Sequence, residues 1–436
     1  MTECRGASGR PLVAVYREML MNYNEVYLRT EVEALQRYRS VYVGSHRVRE
    51  VELPEDRTVT LRERYHGVDR VLDPLVTRIG RRVGYFAHLA PVARALAPGS
   101  VVGRASEYLF QVHGLSPTLV RTLRALKPDI LHAYTGVSGA HALPLARRLR
   151  IPLVVSFGGY DATATEAELR QWATRGRVLL RRKEAMKREM QRIVTISDFL
   201  RRQLVERGWP AEKIRVIHRG IDTERFTPEG SPPLSERAPV VFFAGRLIEV
   251  KGTTYLLRAM REVRTRVPDA RLVIAGAGEL RAALEREAGE LGVPVRFLGR
   301  ASADVVRACH AEAQVYCMPS VTAATGQREG LSNALLEAMA AGLPVVGSDS
   351  GGIPEASGDA GFLVAERDVG ALASRITQLL SDAALRERMG RASRQRITTH
   401  FDLRRQAAKL EALYDEAITE YMEYPRHTAA RETGRR

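Results

Sequence analysis

The chain has 436 residues, 45% hydrophobic and 27% charged, and its 67 Lys and Arg against 51 Asp and Glu leave a net charge of +16. That length suggests two domains, with three as the alternative, each able to bury its own core. No apolar run is long enough to span a membrane, the three cysteines make neither a disulfide framework nor a zinc set, and no helix-turn-helix, zinc-finger or aromatic RNA-binding pattern accompanies the basic charge, so no nucleic-acid partner is expected.

Reading from the N-terminus, MTECRGASGRPLVAVYREM has no long apolar core after its charges. No secretion signal is expected there, and a reducing cytoplasm fits the cysteine usage. Short strand-like runs then alternate with helical patterns. In the first half they are PLVAVY, SVYVGS, DILHAY, PLVVSF and IVTIS. The densest basic stretch, Arg175 to Arg192, mixes Val178, Leu179, Met186 and Met190 with Arg and Lys. As a helix it fits two descriptions: a face resting on anionic lipid head groups, or a plain solvated helix.

The polar, proline-rich segment Thr227 to Val240 reads as an interdomain linker. Beyond it come VVFFAGR, RLVIAG, VRFLG, VYCMPS and PVVGS, with helices TYLLRAMREVRTR and ELRAALEREAGEL between them. Cys317 lies in an apolar run and is expected to be a small core residue. A last helical pattern covers Leu403 to Glu423, and a disordered basic tail is expected over 424–436. The alternation implies βαβ units and parallel sheets covered on both faces. The expected plan is a first domain over 1–226, a linker over 227–239, a second domain over 240–402, and a terminal helix over 403–423.

Ligands of open α/β sheets bind at the carboxyl ends of the strands, so the loops there carry the chemistry. In the run Pro319 to Glu355, Glu329 and Glu337 stand on either side of a helix start. Ser332 or Asn333 can cap the helix, Gly342 ends it and Pro344 blocks its continuation. The first-turn N–H groups suit phosphate or hydroxyl oxygens, and a carboxylate on each side can grip sugar hydroxyls. Upstream, Gly245, Arg246, Lys251 and Gly252 lie between a strand and a helix. Two cations on such a loop can neutralise a diphosphate, and a glycine lets the backbone come close. Gly276 and Gly278 either admit part of a nucleotide or simply make a tight turn. A glycosidase would also use two carboxyls, but it would not need the basic cradle. No Asp-x-Asp is placed to hold a metal against a diphosphate. His132 ends a strand-like run, where a lone histidine fits a ligand-facing or a structural role.

These segments resemble the retaining glycosyltransferases of family 4, which have the GT-B fold, and in particular members acting in exopolysaccharide synthesis such as colanic acid or amylovoran. The family's E-x7-E is matched by Glu329 and Glu337, its P-V-V…G-G-x-x-E by Pro344 to Val346, Gly351, Gly352 and Glu355, and its G-R…K-G by Gly245, Arg246, Lys251 and Gly252. D-x-x-H-A is matched at Asp129 to Ala133, and V-I-x-x-G-x-D-x-x-x-F at Val216 to Phe226. Two departures stand out. Tyr134 occupies the place of a second histidine, and Gly158 replaces the histidine that faces the donor sugar in many relatives.

The resemblance implies an α/β protein of two Rossmann-like domains whose parallel sheets face an interdomain cleft. The expected activity is retaining transfer of a hexosyl or N-acetylhexosaminyl group from a UDP- or GDP-linked sugar. The acceptor would be a glycan, a lipid-linked sugar or a small molecule. No cofactor or metal is implied, since Arg246, Lys251 and helix N-termini would take the leaving-group charge. Glu337 would hold the ribose, Glu329 the donor sugar, and Arg300 the base through its backbone. Gly330, Leu331 and Ser332 would offer N–H groups to sugar or phosphate. Glu329, His132 and Asp161 form the expected catalytic group; a backbone carbonyl, Asp161 or His132 would make up for Gly158, or activity would be weak. A cytoplasmic place, with peripheral contact at the inner membrane face, completes the expectation. A nucleotide-sugar epimerase or hydrolase of the same fold, and a non-catalytic partner subunit, are the alternatives.

Overall fold

The computed structural model describes residues 9–20, 26–44, 46–47, 52–60 and 117–423. Cys4 and the basic tail lie outside the described residues. The chain forms two compact units. The first comprises Met1–Thr195, Leu204–Ile217 and Ala407–Arg436; the second comprises Ile196–Gln203 and His218–Gln406.

The sheet of the first unit contains β1 (Leu12–Tyr16), β2 (Arg39–Gly44), β3 (Thr58–Thr60), β4 (Ile130–Tyr134), β5 (Leu153–Phe157), β6 (Arg192–Thr195) and β7 (Ile214–Val216). Its order is β3-β2-β1-β4-β5-β6-β7, and every ladder is parallel. β1, β4 and β5 are buried at all five positions, as continuous apolar runs covered on both faces require. Val13, Val15, Leu28, Tyr42, Ile130 and Val154 share one core with Leu410, Tyr414 and Ala417 of the C-terminal helix Leu403–Glu423. That helix is also fixed by a carboxylate: Glu411 accepts from the backbone N–H of Gln36 at 2.7 Å and of Arg37 at 2.6 Å.

The basic stretch forms α2 (Ala173–Glu189), packed on α1 (Gly136–Leu149). Val178, Leu179 and Met186 are 5%, 2% and 0% exposed. The apolar stripe that could have met a lipid surface is therefore used inside the first unit. Only the charged face, including Arg177, Arg181 and Arg188, is exposed.

The sheet of the second unit contains β8 (Val240–Ala244), β9 (Arg271–Ala275), β10 (Val295–Gly299), β11 (Val315–Met318), β12 (Val345–Ser348) and β13 (Gly361–Val364). Its order is β10-β9-β8-β11-β12-β13, again parallel throughout. Cys317 is wholly buried in β11, as expected of a core residue. The segment expected to be a linker belongs to this unit and is packed there. Leu234 is 5% exposed, Arg237 donates to the carbonyls of His310 and Ala313 at 2.9 and 2.8 Å, and Arg394 donates to that of Phe226 at 2.7 Å. The unit boundaries fall at 195/196, 203/204, 217/218 and 406/407.

Candidate functional site

Strand order reverses between β8 and β11 in the second unit, the position where doubly wound sheets bind ligands. The loops leaving these two strands carry the basic and the acidic motif. After β8, Gly245 donates its N–H to the Ala275 carbonyl at 2.9 Å, and Leu247 to that of Ala277 at 3.0 Å. The backbones approach closely here. A Cβ on Gly276 would lie 1.8 Å from the Gly245 carbonyl oxygen, and one on Gly278 2.3 Å from that of Leu247. Gly276 and Gly278 thus shape the loop that bears Arg246 and Lys251. Gly252 adopts φ +63° and opens helix α4 (Thr253–Arg266). A Cβ there would meet the Pro319 carbonyl oxygen at 1.9 Å, so the β8 loop lies directly on the β11 loop.

This approach brings Lys251 Nζ into contact with Glu329 Oε2, each side chain only 12% exposed. Arg246 is exposed on the same loop, without an ion-pair partner among the described residues. Arg300 is exposed just after β10. Beyond Glu329, Ser332 caps helix α5 (Asn333–Ala340) by accepting from the Leu335 N–H at 3.4 Å. The helix stops before Gly342, which has φ +74°. Glu337 lies one turn into α5. Burial pushes its carboxyl up to about 7, against the pull of Arg225. Tyr316, raised chiefly by burial, also feels the charges of Glu337 and Glu329, so both glutamates stand near the same buried phenol.

The loop bearing Glu329 rests on the Gly351-Gly352 turn. Gly352 donates its N–H to the Glu329 carbonyl at 2.9 Å. Cβ atoms on Gly351 and Gly352 would lie 1.9 and 2.0 Å from the carbonyl oxygens of Glu329 and Gly330. The Gly330 carbonyl also accepts from Ser197 Oγ at 2.8 Å, and Leu331 and Ser332 are 3% and 4% exposed. Ser197 starts helix α3 (Asp198–Glu206), accepting from the Leu200 N–H at 3.2 Å. Glu355 completes the arrangement. Its oxygens accept from the Asp198 N–H, both at 2.8 Å, from the Phe199 N–H at 3.3 Å, and from His218 Nε2 at 2.7 Å. Burial works to raise the Glu355 carboxyl, but His218 and these N–H groups hold it below its ordinary value.

In the first unit, His132 departs from its expected place. It is the third residue of β4 and 0% exposed. Its Nδ1 bonds Tyr414 Oη at 2.6 Å and its Nε2 bonds Ser156 Oγ at 2.8 Å. Burial pushes the imidazole down to about 3, so the ring is neutral. With both nitrogens engaged in the core, His132 is a structural residue and cannot make up for Gly158. Asp161 is also engaged: it accepts from the N–H groups of Gly136 at 2.8 Å and Gly159 at 3.1 Å. Burial raises its carboxyl above the usual range despite these bonds and Arg17.

Asp161 thereby stabilises a feature with no sequence signal. Thr135, a β-branched residue directly after β4, has φ +106°, a strained value for such a side chain. Arg17 holds it, donating to Thr135 Oγ1 at 3.0 Å and to the Tyr134 carbonyl at 3.2 Å. Arg17 follows β1, so this cluster marks the strand-order reversal of the first sheet.

The family described as "Glycosyl transferases group 1" matches residues 238–382, and "Glycosyltransferase Family 4" matches residues 61–225. The chain is 32% identical over 314 residues to the GDP-mannose-dependent alpha-(1-6)-phosphatidylinositol monomannoside mannosyltransferase of Mycolicibacterium smegmatis, covering 68% of this chain and 80% of that protein. It is 34% identical over 214 residues to the amylovoran biosynthesis glycosyltransferase AmsK of Erwinia amylovora, covering 48% of this chain and 52% of that one. Among solved structures it is similar to Anabaena Alr3699/HepE in complex with UDP, with a TM-score of 0.65 and 18% identity over 92% of this chain and 98% of that one. This last likeness bears on the fold alone.

Proposed function

This chain belongs to the group 1, family 4 glycosyltransferases and has their GT-B fold, and we propose that it transfers a hexosyl or N-acetylhexosaminyl group, with retention, from a nucleotide-diphosphate sugar to an acceptor hydroxyl. The donor is UDP- or GDP-linked, and the acceptor is a glycan or lipid-linked sugar of a surface polysaccharide or glycolipid. Relatives named for GDP-mannose and for amylovoran support that range. One observation carries the reading: the Lys251–Glu329 contact at the strand-order reversal of the second sheet. It unites, at one point, a cation suited to phosphate and a carboxylate suited to sugar hydroxyls.

In this reading Arg246 and Lys251 neutralise the diphosphate, and N–H groups of Gly330 to Ser332 face the sugar or phosphate. Glu329 holds the sugar and Glu337 the ribose. The backbone at Arg300 frames the base. The leaving β-phosphate helps remove the acceptor proton, in a front-side reaction without a resident metal. A peripheral place at the inner membrane face would rest on exposed arginines of α2, since its apolar stripe is buried.

A thermal-shift screen of UDP- and GDP-sugars tests the proposal, because a ligand bound only by the folded state raises Tm. At least one donor is expected to stabilise the protein, with or without EDTA. Failure of every donor would overturn the reading.

A further inference from the structure

We infer that Glu355 is a positioning residue for the donor sugar, acting through Ser197 on the Gly330 carbonyl; this rests on the reading of the Glu329–Ser332 loop as the donor loop.

All the groups concerned belong to the second unit. The loop leaves β11 and reaches α5, and on the donor-loop reading its backbone N–H groups face the ligand. Its carbonyls are therefore the handles by which the protein can orient it. Two are gripped, from two directions. Gly352 holds the Glu329 carbonyl at 2.9 Å, and Ser197 holds the Gly330 carbonyl at 2.8 Å. Rotating the Gly330–Leu331 peptide would lose the Ser197 bond, so this hydroxyl fixes the direction of the Leu331 N–H on the same peptide plane. Ser197 is in turn set by the start of α3. The first N–H groups of a helix lack intrahelical partners, and here Glu355 satisfies those of Asp198 and Phe199. His218 occupies one oxygen of the same carboxylate at 2.7 Å, which limits its rotation.

Glu355 also lies three residues after Gly352, on the short helix Ile353–Ser357. Both grips on the donor loop therefore originate from one five-residue segment, Gly351 to Glu355. Glu355 touches neither Lys251, Glu329 nor Glu337 directly. Its contribution is geometric: it holds the peptide in place before the sugar arrives, a form of preorganisation that small displacements destroy.

Glu355→Gln keeps size but replaces one acceptor oxygen with a donor, which cannot serve the N–H groups and His218 together. Hydrogen exchange of the 328–333 amides in the ligand-free variant should be faster than in the parent protein, with β8 amides unchanged. Free UDP and GDP should bind as in the parent. Turnover of the donor that the parent accepts should fall by on the order of tenfold to a hundredfold. Ser197→Ala should give the same pattern, and the double variant should be no worse than either single one, as groups acting through one path are non-additive. Unchanged exchange over 328–333, or additive losses, would overturn the inference. A lower Tm with unaltered turnover would reduce Glu355 to a helix cap and overturn it too. A parent protein that binds no nucleotide sugar would instead sink the donor-site reading, whereas the exchange measurement still judges the Glu355–Ser197–Gly330 link by itself.

Discussion

Lys251 and Glu329, separated by 78 positions in the chain, meet as an ion pair in which each partner is nearly buried. The cation proposed for phosphate is thus paired with the carboxylate proposed for sugar. On the proposed function, a diphosphate entering the site has to draw Lys251 away, and that exchange would free Glu329 for the sugar. The two substitutions should therefore act with opposite sign on free nucleotide. Lys251→Ala should weaken UDP or GDP binding by about 1.5–3 kcal/mol, the usual worth of a charged hydrogen bond. Glu329→Gln should leave that affinity equal or tighter, because Lys251 no longer has a competing anion, while transfer slows sharply. Calorimetric titration beside a turnover assay checks both; weaker nucleotide binding in Glu329→Gln would refute the exchange.

Glu337 should make nucleotide binding depend on pH. Its carboxyl is held up to about 7 by burial, from an ordinary 4.5. An ionised carboxylate accepts hydrogen bonds from two hydroxyls better than the neutral acid does. Affinity for UDP or GDP is expected to rise as pH passes upward through about 7, and Glu337→Gln should flatten the rise. Stability should move the other way. The folded state holds this proton more tightly than the unfolded chain, so between about 4.5 and about 7 rising pH costs stability. The Tm of Glu337→Gln, relative to the parent, should accordingly improve from pH 5 to pH 8.

Much of this fold was legible in the chain because long strands buried on both faces read as unbroken apolar runs. Nine such runs became β1, β2, β4, β5, β6, β8, β9, β11 and β12, and the interrupted run VRFLG became the partly exposed β10. The strands missed in these two sheets, β3, β7 and β13, all lie at sheet edges. β3 and β7 are only three residues long, too short for a period to show, and β13 is only partly buried. In the site, Lys251 and Glu329 could each be picked out in advance because each follows a strand in a recognisable motif, but their ion pair carries no sequence signal. Ser197 could not, since a serine at a helix start signals only a cap. His132 stayed open between two roles for a related reason: a strand's sequence does not say which ends of its side chains meet solvent and which meet a distant helix such as that of Tyr414. The stripe on α2 could serve a membrane or a neighbouring helix, and only packing on α1 decides between them.

His132 should matter to stability and not to nucleotide recognition. His132→Ala would take one partner from Tyr414 Oη and strand Ser156 Oγ in the core of the first unit, besides opening a cavity. A cost of about 2–5 kcal/mol follows from losing buried partners and volume together. Denaturant unfolding should show that loss, while UDP or GDP affinity stays at the parent value. A variant of parental stability that no longer transfers sugar would return His132 to the chemistry.

Two glycine substitutions separate backbone strain from contact at the donor loop. Gly351 and Gly230 both have positive φ, +59° and +78°. An alanine at either position suffers the left-handed penalty of roughly 1–2 kcal/mol. Only at Gly351 would the new Cβ also strike the loop, 1.9 Å from the Glu329 carbonyl oxygen; at Gly230 nothing lies within 4 Å. Rigid backbone cannot yield as a flexible side chain does, so in Gly351→Ala the Glu329–Gly330 peptide has to shift. Gly230→Ala should therefore lower Tm slightly and keep full activity. Gly351→Ala should lose donor turnover by on the order of a hundredfold, the penalty for a displacement near 1 Å in a preorganised site. Equal activity in the two variants would mean that the Gly351 contact does not set the position of Glu329.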